Sequence, residues 1–301
     1  MFKPPPQPLS RSATEELFQI ALQAATAAGR LLAEHHGRPG RIEMKPGGDS
    51  LAAQVVTELD RRSQSTILEL LTPTLDPYRL GLLSEEQEDD GSRFDNDYFW
   101  AVDPLDGTLS FSQSSPGYAV SIALVARSGT PVIAAVYDPP RHTLYAAIRG
   151  QGAWRNSERW QPLLPPAASS PLTLICDQTL LAAPDYRQII HQLETIADRA
   201  GFSGVAVHPG GGAVMNSCQA LEMHPACYFK RPKKVAGGGS LWDFAATALL
   251  FAEMGGVACN FKGEPLELNR QESLFMNREG VLYSTVPQLV SELAAHIPQL
   301  V

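Results

Sequence analysis

The amino-acid sequence predicts an α+β / α/β fold. Three observations support this class: two amphipathic helical stretches near the N-terminus, a run of strand-like stretches that follows them, and an alternation of strands and helices in the rest of the chain. With 301 residues, 44% of them hydrophobic, the chain is long enough for one large domain or two smaller ones with a substantial core.

Two amphipathic helices are predicted in the N-terminal part. The first covers about 14–36, where Leu, Ile and Ala fall on one stripe at helical spacing. Ser12 followed by Glu15 resembles a capping box at its start. The second helix covers about 58–71 and carries Asp60 in its first turn, where a carboxylate suits the positive end of the helix dipole. From spacing alone, Asp60 therefore has a structural interpretation besides a metal-binding one.

Two predicted strands end in acidic residues. The apolar stretch 80–83 runs into the sequence SEE at 84–86. The aromatic stretch 98–102 runs into the sequence DPLDGT at 103–108. If these two strands are neighbours, Glu85 and two aspartates converge at one edge of the sheet, which is where ligands collect in α/β folds.

The following strands form a meander, which predicts an antiparallel sheet packed by the two helices. They cover 118–126, 132–137 and 144–148. The proline-rich stretch 162–171 is the best linker in the chain, so we expect domains at 1–160 and 161–301. The second part alternates strands at 172–176, 226–229 and 281–284 with helices at 186–199, 212–222, 241–254 and 287–296.

Charge and composition argue against several classes of function. A net charge of −8 is unfavourable for non-specific binding to a nucleic-acid polymer or to an anionic membrane. The four cysteines show no CxxC spacing and are expected to be reduced, as in a cytoplasmic protein. No apolar run is long enough to span a membrane, and the proline-bearing N-terminal stretch lacks the apolar core of a secretory signal.

The DPLDGT segment carries the clearest chemistry. Asp103 and Asp106 stand three residues apart, Pro104 fixes the backbone between them, and Gly107 permits a left-handed turn. Two carboxylates held so close raise each other's pKa unless a cation lies between them. Because Mg²⁺ prefers carboxylate and carbonyl oxygens, the Leu105 carbonyl is a further candidate ligand. The alternative is a type I turn at a strand end, in which Asp, Pro and Gly are ordinary.

Asp243 lies at the start of the strongly apolar predicted helix 241–254, behind the glycines at 237–239. N-capping alone explains an aspartate at such a position. A helix N-terminus behind a glycine run also binds anions, so Asp243 could instead hold a metal beside a bound phosphate. Both interpretations stay open from the residues alone.

Four segments together resemble the inositol monophosphatase superfamily. WAVDPLDGT at 100–108 and LWDFAATALLFAEMGG at 241–256 are similar to its two signatures, DP-I/L-DGT and WDxAAxxxIxxEAGG. LSEE at 83–86 and VTELDRRSQ at 56–64 are similar to its GEE/SEE and VTEADxxSE elements, in the same order. The resemblance implies a five-layered αβαβα sandwich of the inositol monophosphatase / fructose-1,6-bisphosphatase type, and Mg²⁺-dependent hydrolysis of a small phosphomonoester.

The resemblance also implies roles for single residues. The implied metal ligands, for two or three Mg²⁺ ions, are Glu85, Asp103, Leu105 through its carbonyl, Asp106, Asp243 and Asp60. The implied catalytic residues are Glu85, Thr108 and Asp103, of which Glu85 and Thr108 would orient and activate the attacking water. The implied substrate-binding residues are Gly107 and Thr108, through their amides, with Asp106 and Asp243. In this scheme the cations lower the pKa of water and offset charge on the phosphoryl oxygens.

The resemblance leaves several substrates open. The acidic LSEE element is similar to that of 3′(2′),5′-bisphosphate nucleotidases, which favours 3′-phosphoadenosine 5′-phosphate. The segment 212–216 resembles inositol phosphatases instead, so inositol 1-phosphate and a sugar bisphosphate are the alternatives. A catalytically silent relative that binds a phosphorylated metabolite is disfavoured, because every implied metal-ligand position holds a competent residue. The resemblance further suggests a homodimer and sensitivity to lithium.

The chain departs from the family pattern at two places. The stretch 45–60 is longer than usual, so Lys45 and Asp49 receive no role. Inositol-specific members carry a glutamate seven residues before the aspartate of the second signature, and that position is Ala236 here. The basic run 230–234 precedes it, and this run is either a solvated loop or a grip on a second phosphate.

Overall fold

A computed structural model of the chain describes residues 7–37, 42–44, 55–167 and 170–297. The first six residues and the segment 45–53, for which we expect a loosely ordered leader and a loop, lie outside the described residues. None of the helices within the described ranges is both long and apolar enough to cross a membrane.

Two long helices and a small sheet begin the fold. Helix α1 covers Arg11–Glu34, strands β1 and β2 cover Ile42–Met44 and Val55–Thr57, and helix α2 covers Glu58–Tyr78. Strands β1 and β2 pair with each other in antiparallel fashion. The predicted capping box at Ser12 and Glu15 is wrong, because the N-cap of α1 is Ser10. The hydroxyl oxygen of Ser10 accepts from the backbone N–H of Ala13 at 3.2 Å.

Helix α2 continues past Leu71, its predicted end, and contains Pro73 and Pro77. The buried Thr74 hydroxyl accepts a hydrogen bond from the indole N–H of Trp100 at 2.9 Å and donates to the Leu71 carbonyl at 2.6 Å. The first of these bonds is a tertiary contact that ties α2 to Trp100 beyond Leu71, although Pro73 and Pro77 lack a backbone N–H. Packing therefore decides where this helix ends, against the local signal.

A seven-stranded sheet follows, in the spatial order β3-β4-β5-β6-β7-β8-β9. Its strands are β3 Leu80–Ser84, β4 Tyr98–Asp106, β5 Ala119–Ala126, β6 Pro131–Asp138, β7 Thr143–Ile148, β8 Gly152–Arg155 and β9 Glu158–Trp160. Short helices α3 (Ser92–Asp95) and α4 (Thr108–Ser112) flank β4. Only β3 and β4 are parallel, so the predicted antiparallel meander is confirmed. The sequence did not predict β8 and β9, which are short, half-exposed and without an apolar run.

The second half forms a five-stranded sheet in the order β11-β10-β12-β14-β13. Its strands are β10 Leu172–Cys176, β11 Val205–Pro209, β12 Ala226–Lys230, β13 Val257–Cys259 and β14 Val281–Ser284. Its helices are α5 Gln178–Leu181, α6 Tyr186–Arg199, α7 Ala213–Glu222, α8 Leu241–Met254 and α9 Val290–His296, the last preceded by a 3₁₀ turn at Pro287–Leu289. The predicted bounds of α6, α8, β10 and β14 are confirmed.

The layers stack in the order α-β-α-β-α, which confirms the predicted five-layered sandwich. Helices α1 and α2 cover the outer face of the seven-stranded sheet. Helices α7 and α8 pack between the two sheets, and α6 and α9 cover the outer face of the five-stranded sheet. Helix α8 is strongly apolar over most of its surface because it contacts a sheet on each side. The division into 1–160 and 161–301 stays a prediction. The four cysteine thiols are buried and free.

Candidate metal centre

Three aspartates converge where the seven-stranded sheet meets the central helices. One carboxylate oxygen from each of Asp103, Asp106 and Asp243 lies within 4.8 Å of the other two. Asp103 and Asp106 come from the end of β4, and Asp243 comes from the first turn of α8. Asp103 is 1% exposed and Asp106 is 8% exposed. Asp243 is partly exposed, so the cluster is largely but not completely shielded from water.

A β-bulge explains how Asp103 and Asp106 reach the same site. Residues three apart in a regular strand point to opposite faces of the sheet. Here Asp103 pairs with Ser121 and Asp106 pairs with Ala119, so β4 holds one residue more than β5 over this interval. The extra residue turns both carboxylates to one side. Proline is tolerated at such a position because a bulge does not require every N–H in the ladder.

The bulge and the helix after it are fixed by side-chain hydroxyls. Ser63 on α2 donates to the Pro104 carbonyl at 2.6 Å. The Thr108 hydroxyl lies 3.1 Å from the Leu105 carbonyl and 3.1 Å from Oδ1 of Asp60, both acceptors. Asp60 is 1% exposed, so its carboxylate faces the site from the first turn of α2. The Leu105 carbonyl keeps a second lone pair for another partner.

Glu85 approaches the three aspartates from the neighbouring parallel strand. The register of β3 and β4 pairs Ser84 with Val102, and the Glu85 N–H donates to the Val102 carbonyl at 3.1 Å. This pairing places Glu85 beside Asp103, and their side chains share a hydrogen bond. The expectation that these two strands are neighbours is therefore confirmed. Neither Glu85 nor Asp60 belongs to the set of three within 4.8 Å.

Asp243 caps the N-terminus of α8 and also belongs to the aspartate cluster. Ser240 is the N-cap of α8, and Asp243 is the third residue of the helix. Oδ2 of Asp243 accepts from the backbone N–H of Ser240 at 3.1 Å, which completes a capping box. The carboxylate has further acceptor capacity, so the capping interaction and a metal-binding role are compatible.

Asp106 is held by a contact that the sequence did not predict. Its two carboxylate oxygens accept from the backbone N–H groups of Ala213 at 3.1 Å and Val214 at 2.9 Å, at the N-terminus of α7. Gly212 makes this approach possible, since a Cβ there would lie 2.2 Å from Oδ2 of Asp106. Gly211 also lies close to Gly117, since a Cβ on Gly211 would lie 2.4 Å from the Gly117 carbonyl oxygen. The three consecutive glycines before α7 were the sequence feature that could have indicated this close approach.

The electrostatics of the cluster favour a bound cation. Burial, with the negative charge of Glu85 next in size, raises the pKa of Asp103 well above its ordinary value. Burial and the charge of Asp106 likewise raise the pKa of Asp243. Burial raises the pKa of Asp106 to about 6, against the opposing effect of the Val214 N–H. Carboxylates that repel one another in a buried site fit a hard divalent cation, whose preferred ligands are oxygens.

The basic run 230–234 does not act as one group. Lys230 ends β12, and its Nζ lies 3.3 Å from Oδ2 of Asp177. Arg231 forms a two-pronged ion pair with Asp185, with Nη2 to Oδ1 at 3.0 Å, and its side chain is 4% exposed. Ala236, at the position discussed above, is exposed. Arg231 thus has a structural partner, whereas Lys230 lies within electrostatic reach of Asp243 and Asp106.

Comparisons with known proteins show the family to which the chain belongs. The model of the inositol monophosphatase family matches residues 13–300. The Nus factor SuhB of Escherichia coli is 31% identical over 260 residues, which cover 82% of this chain and 86% of that protein. The inositol-1-monophosphatase of Synechocystis sp. is 27% identical over 290 residues, which cover 96% of this chain and 92% of that protein.

Solved structures share the fold. The inositol monophosphatase of Anabaena superposes with a TM-score of 0.69 at 24% identity and covers 95% of this chain and 98% of its own. Staphylococcal IMPase-II with bound inositol monophosphate superposes with a TM-score of 0.66 at 22% identity and covers 94% and 93%. Together with the family match over nearly the whole sequence, these findings show that the chain belongs to the inositol monophosphatase family.

Proposed function

We propose that this chain is a Mg²⁺-dependent phosphatase that hydrolyses a small phosphomonoester. The observation that carries the proposal is the set of three aspartates, Asp103, Asp106 and Asp243, whose oxygens lie within 4.8 Å of one another in a largely buried site. Such a set is unstable without a cation, and it lies beside a hydroxyl, that of Thr108, which is itself held by a carboxylate.

The chemistry of the donors fits magnesium. Asp103, Asp106 and Asp243 would hold the cations together with Glu85, Asp60 and the Leu105 carbonyl, and all of these donors are hard oxygens. We propose two or three ions, with Asp60 serving the weakest site. When bound, Mg²⁺ supplies Lewis-acid polarisation of the phosphoryl group and lowers the pKa of water at the site.

The side chains around the cluster would orient the attacking water. Glu85 lies close enough to Asp103 to share a hydrogen bond, so its carboxylate can accept a proton at the edge of the cluster. The Thr108 hydroxyl is fixed by Asp60 at 3.1 Å and can hold the same water in line with the phosphate. Asp60 therefore acts through Thr108 as a positioning residue.

The substrate phosphate would bind at the turn between β4 and α4. The backbone N–H groups of Gly107 and Thr108 stand in the first turn after the bulge, beside Asp106. Gly107 has φ +82° and a Cβ there would lie 2.6 Å from the Gly117 carbonyl oxygen, so only glycine fits this turn. Backbone N–H groups are suitable donors to phosphate oxygens because they add no bulk.

For the substrate we favour 3′-phosphoadenosine 5′-phosphate over inositol 1-phosphate, with a sugar bisphosphate as the third candidate. Staphylococcal IMPase-II has been solved both with inositol monophosphate and with 2′-AMP, so one protein of this fold accommodates a polyol and a nucleotide. A cytoplasmic homodimer inhibited by lithium completes the proposal.

A binding role without turnover is the second candidate. Several bacterial relatives, about 31% identical to this chain, carry the name Nus factor SuhB, which describes a function other than phosphate release. The complete set of carboxylates in this chain favours turnover, since a purely binding protein has no need to keep three repelling aspartates close together in a largely buried site.

Phosphate release tests the proposal. The purified protein is assayed with Mg²⁺ on 3′-phosphoadenosine 5′-phosphate, inositol 1-phosphate and fructose 1,6-bisphosphate, with EDTA as the control. We expect metal-dependent release with a clear preference for one substrate. Absence of release from all three, in a protein that still binds Mg²⁺, would contradict the proposal and support the binding role.

A further inference from the structure

Lys230 and Asp177 form an ion pair at the same edge of the fold as the metal cluster. Strands β10 and β12 are parallel neighbours, with Ile175 paired to Tyr228. Continuing this register places Asp177, just after β10, beside Lys230 at the end of β12. Nζ of Lys230 lies 3.3 Å from Oδ2 of Asp177, and the two side chains are 26% and 13% exposed.

The ammonium of Lys230 is surrounded by acidic groups. Burial lowers the pKa of Lys230, but the surrounding Tyr228, Asp177, Asp243 and Asp106 outweigh burial and raise it overall. The same ammonium opposes the rise in the pKa of Asp106. Lys230 is therefore a cation at neutral pH, and it lies within electrostatic reach of two of the three clustered aspartates.

This position differs from those of Arg231 and Lys234 in the run 230–234. The guanidinium of Arg231 is occupied by Asp185 through two hydrogen bonds and is almost fully buried. Lys234 is exposed. Lys230 is half-buried and forms an ion pair with one carboxylate, that of Asp177. Because an ammonium has three N–H donors, it can donate to further acceptors.

We infer that Lys230 selects substrates by binding a second phosphate, carried on the alcohol part of the phosphomonoester. The inference rests on the proposed function and specifies its substrate class. A neutral alcohol offers the ammonium nothing beyond hydroxyl groups, whereas a second phosphate gives it a charge-assisted hydrogen bond. Asp177 holds the ammonium in place before the substrate arrives. A site rich in carboxylates otherwise repels a doubly phosphorylated molecule, so a fixed cation is needed for it.

A different role for Lys230, as a counter-charge to the aspartates alone, predicts a different result. A general counter-charge would affect every substrate equally, because each reacts at the same metal cluster. A phosphate-binding residue affects only substrates that carry the second phosphate. Paired substrates that differ by that group alone therefore separate the two roles.

The test compares 3′-phosphoadenosine 5′-phosphate with adenosine 3′-phosphate, and fructose 1,6-bisphosphate with fructose 1-phosphate. The quantity measured is the ratio of kcat/KM within each pair, for the wild type and for Lys230→Gln. We expect the ratio in the preferred pair to fall by roughly 10- to 100-fold, the worth of a hydrogen bond to a charged group. The pair with the larger kcat/KM ratio in the wild type shows whether the second phosphate is carried on a nucleotide or on a sugar.

Two further variants control for charge and folding. Lys230→Arg keeps the charge and is expected to retain the ratio within about threefold, since Arg also binds phosphate. Lys262→Gln removes a lysine from an ion pair with Glu279, 2.6 Å long and on the exposed surface, and is expected to leave the ratio unchanged. An unchanged ratio in Lys230→Gln, or an equal loss on both members of each pair, would overturn the inference.

A binding measurement separates failure of the inference from failure of the proposed function. Isothermal titration calorimetry in the presence of Mg²⁺ measures the binding of adenosine 5′-monophosphate, with adenosine as the uncharged control. We expect the wild type to bind the nucleotide at least about 10-fold more tightly than Lys230→Gln does. If the wild type hydrolyses nothing, the proposed function fails and this comparison alone decides the role of Lys230. Equal affinities, or no binding to the wild type, would then refute that role.

Discussion

The carboxylate of Asp106 is held by the N-terminus of α7, where the backbone N–H of Val214 donates to its Oδ2 at 2.9 Å. Asp106 belongs to the first sheet and Val214 to the central helical layer, so this contact ties the metal cluster to both. Helix N-termini favour negative charge. This effect explains why the pKa of Asp106, although raised by burial, rises only to about 6.

Replacing Gly212 by alanine tests this contact. The new Cβ would lie 2.2 Å from Oδ2 of Asp106, so either the carboxylate or the start of α7 has to move. We expect a loss of about 1–3 kcal/mol in the free energy of unfolding, typical of an overpacked site, and weaker Mg²⁺ binding by calorimetry. Gly201→Ala is the control. Gly201 has φ +81° and no atom within 4 Å of a Cβ, so strain alone lowers its stability. Equal Mg²⁺ affinity in both variants would contradict this account.

Asp103→Asn separates catalysis from folding. The variant loses one of three clustered carboxylates, and we expect turnover to fall on the order of 10³-fold or more. Because burial and Glu85 raise the pKa of Asp103, the metal-free variant should unfold at the same or a higher temperature than the wild type. Thermal unfolding with and without Mg²⁺ measures both effects. The exposed Asp198→Asn is the matched control, and a lower melting temperature in EDTA for Asp103→Asn alone would count against this prediction.

Thr108 is predicted to act on the rate more than on metal binding. Thr108→Val removes the hydroxyl that lies 3.1 Å from Asp60, while Thr108→Ser keeps it. We expect kcat to fall roughly 10²-fold in the valine variant, the scale of a lost proton-handling group, and to recover largely in the serine variant. Steady-state kinetics at saturating Mg²⁺ provide the measurement. A loss of equal size in both variants would contradict this prediction, because the serine variant keeps the hydroxyl.

The ion pair between Arg231 and Asp185 predicts a pH-dependent stability. Hydrogen bonding from Arg231 lowers the pKa of Asp185 below its ordinary value. Its stabilising effect is therefore present above the unfolded-state pKa of about 3.9 and is lost as the pH falls through the lower folded-state pKa. At pH 7, Asp185→Asn should cost about 1–3 kcal/mol, because Arg231 stays buried without its carboxylate.

Urea unfolding in EDTA measures the difference in the free energy of unfolding between the wild type and Asp185→Asn as the pH is lowered. Groups other than Asp185 titrate alike in the wild type and in Asp185→Asn, so the difference isolates this pair. The gap between the two proteins should narrow as the pH falls below about 4. A gap that stays constant over that range would show that the charge of Asp185 contributes nothing.

The elements that the sequence predicted well are those whose local pattern has only one outcome. Helix α8 is strongly apolar over most of its surface, and such a helix needs a partner on each side, which the two sheets supply. Strand β5 is apolar except for Ser121, β4 is apolar from Tyr98 to Val102, and both strands are fully buried. Glu85 follows β3 and Asp103 lies in the neighbouring strand β4, so their proximity follows from the pairing of these two strands.

The features that the sequence did not predict depend on contacts between distant parts of the chain. The bulge that turns Asp103 and Asp106 to one side is visible only in the register of β4 against β5. The hydrogen bond from Val214 to Asp106 joins residues 108 positions apart. The ion pair of Lys230 with Asp177 needs the order of strands in the second sheet. Local propensity carries no information on these three contacts.

The central claim is that the aspartate cluster binds Mg²⁺ and that this binding enables phosphate release. The most direct measurement titrates Mg²⁺ into EDTA-treated protein and follows phosphate release and melting temperature in the same series, for the wild type and for Asp103→Asn. We predict that both signals in the wild type saturate at the same Mg²⁺ concentration, and that neither responds in the variant. Release that is independent of Mg²⁺, or that persists in Asp103→Asn, would contradict the claim.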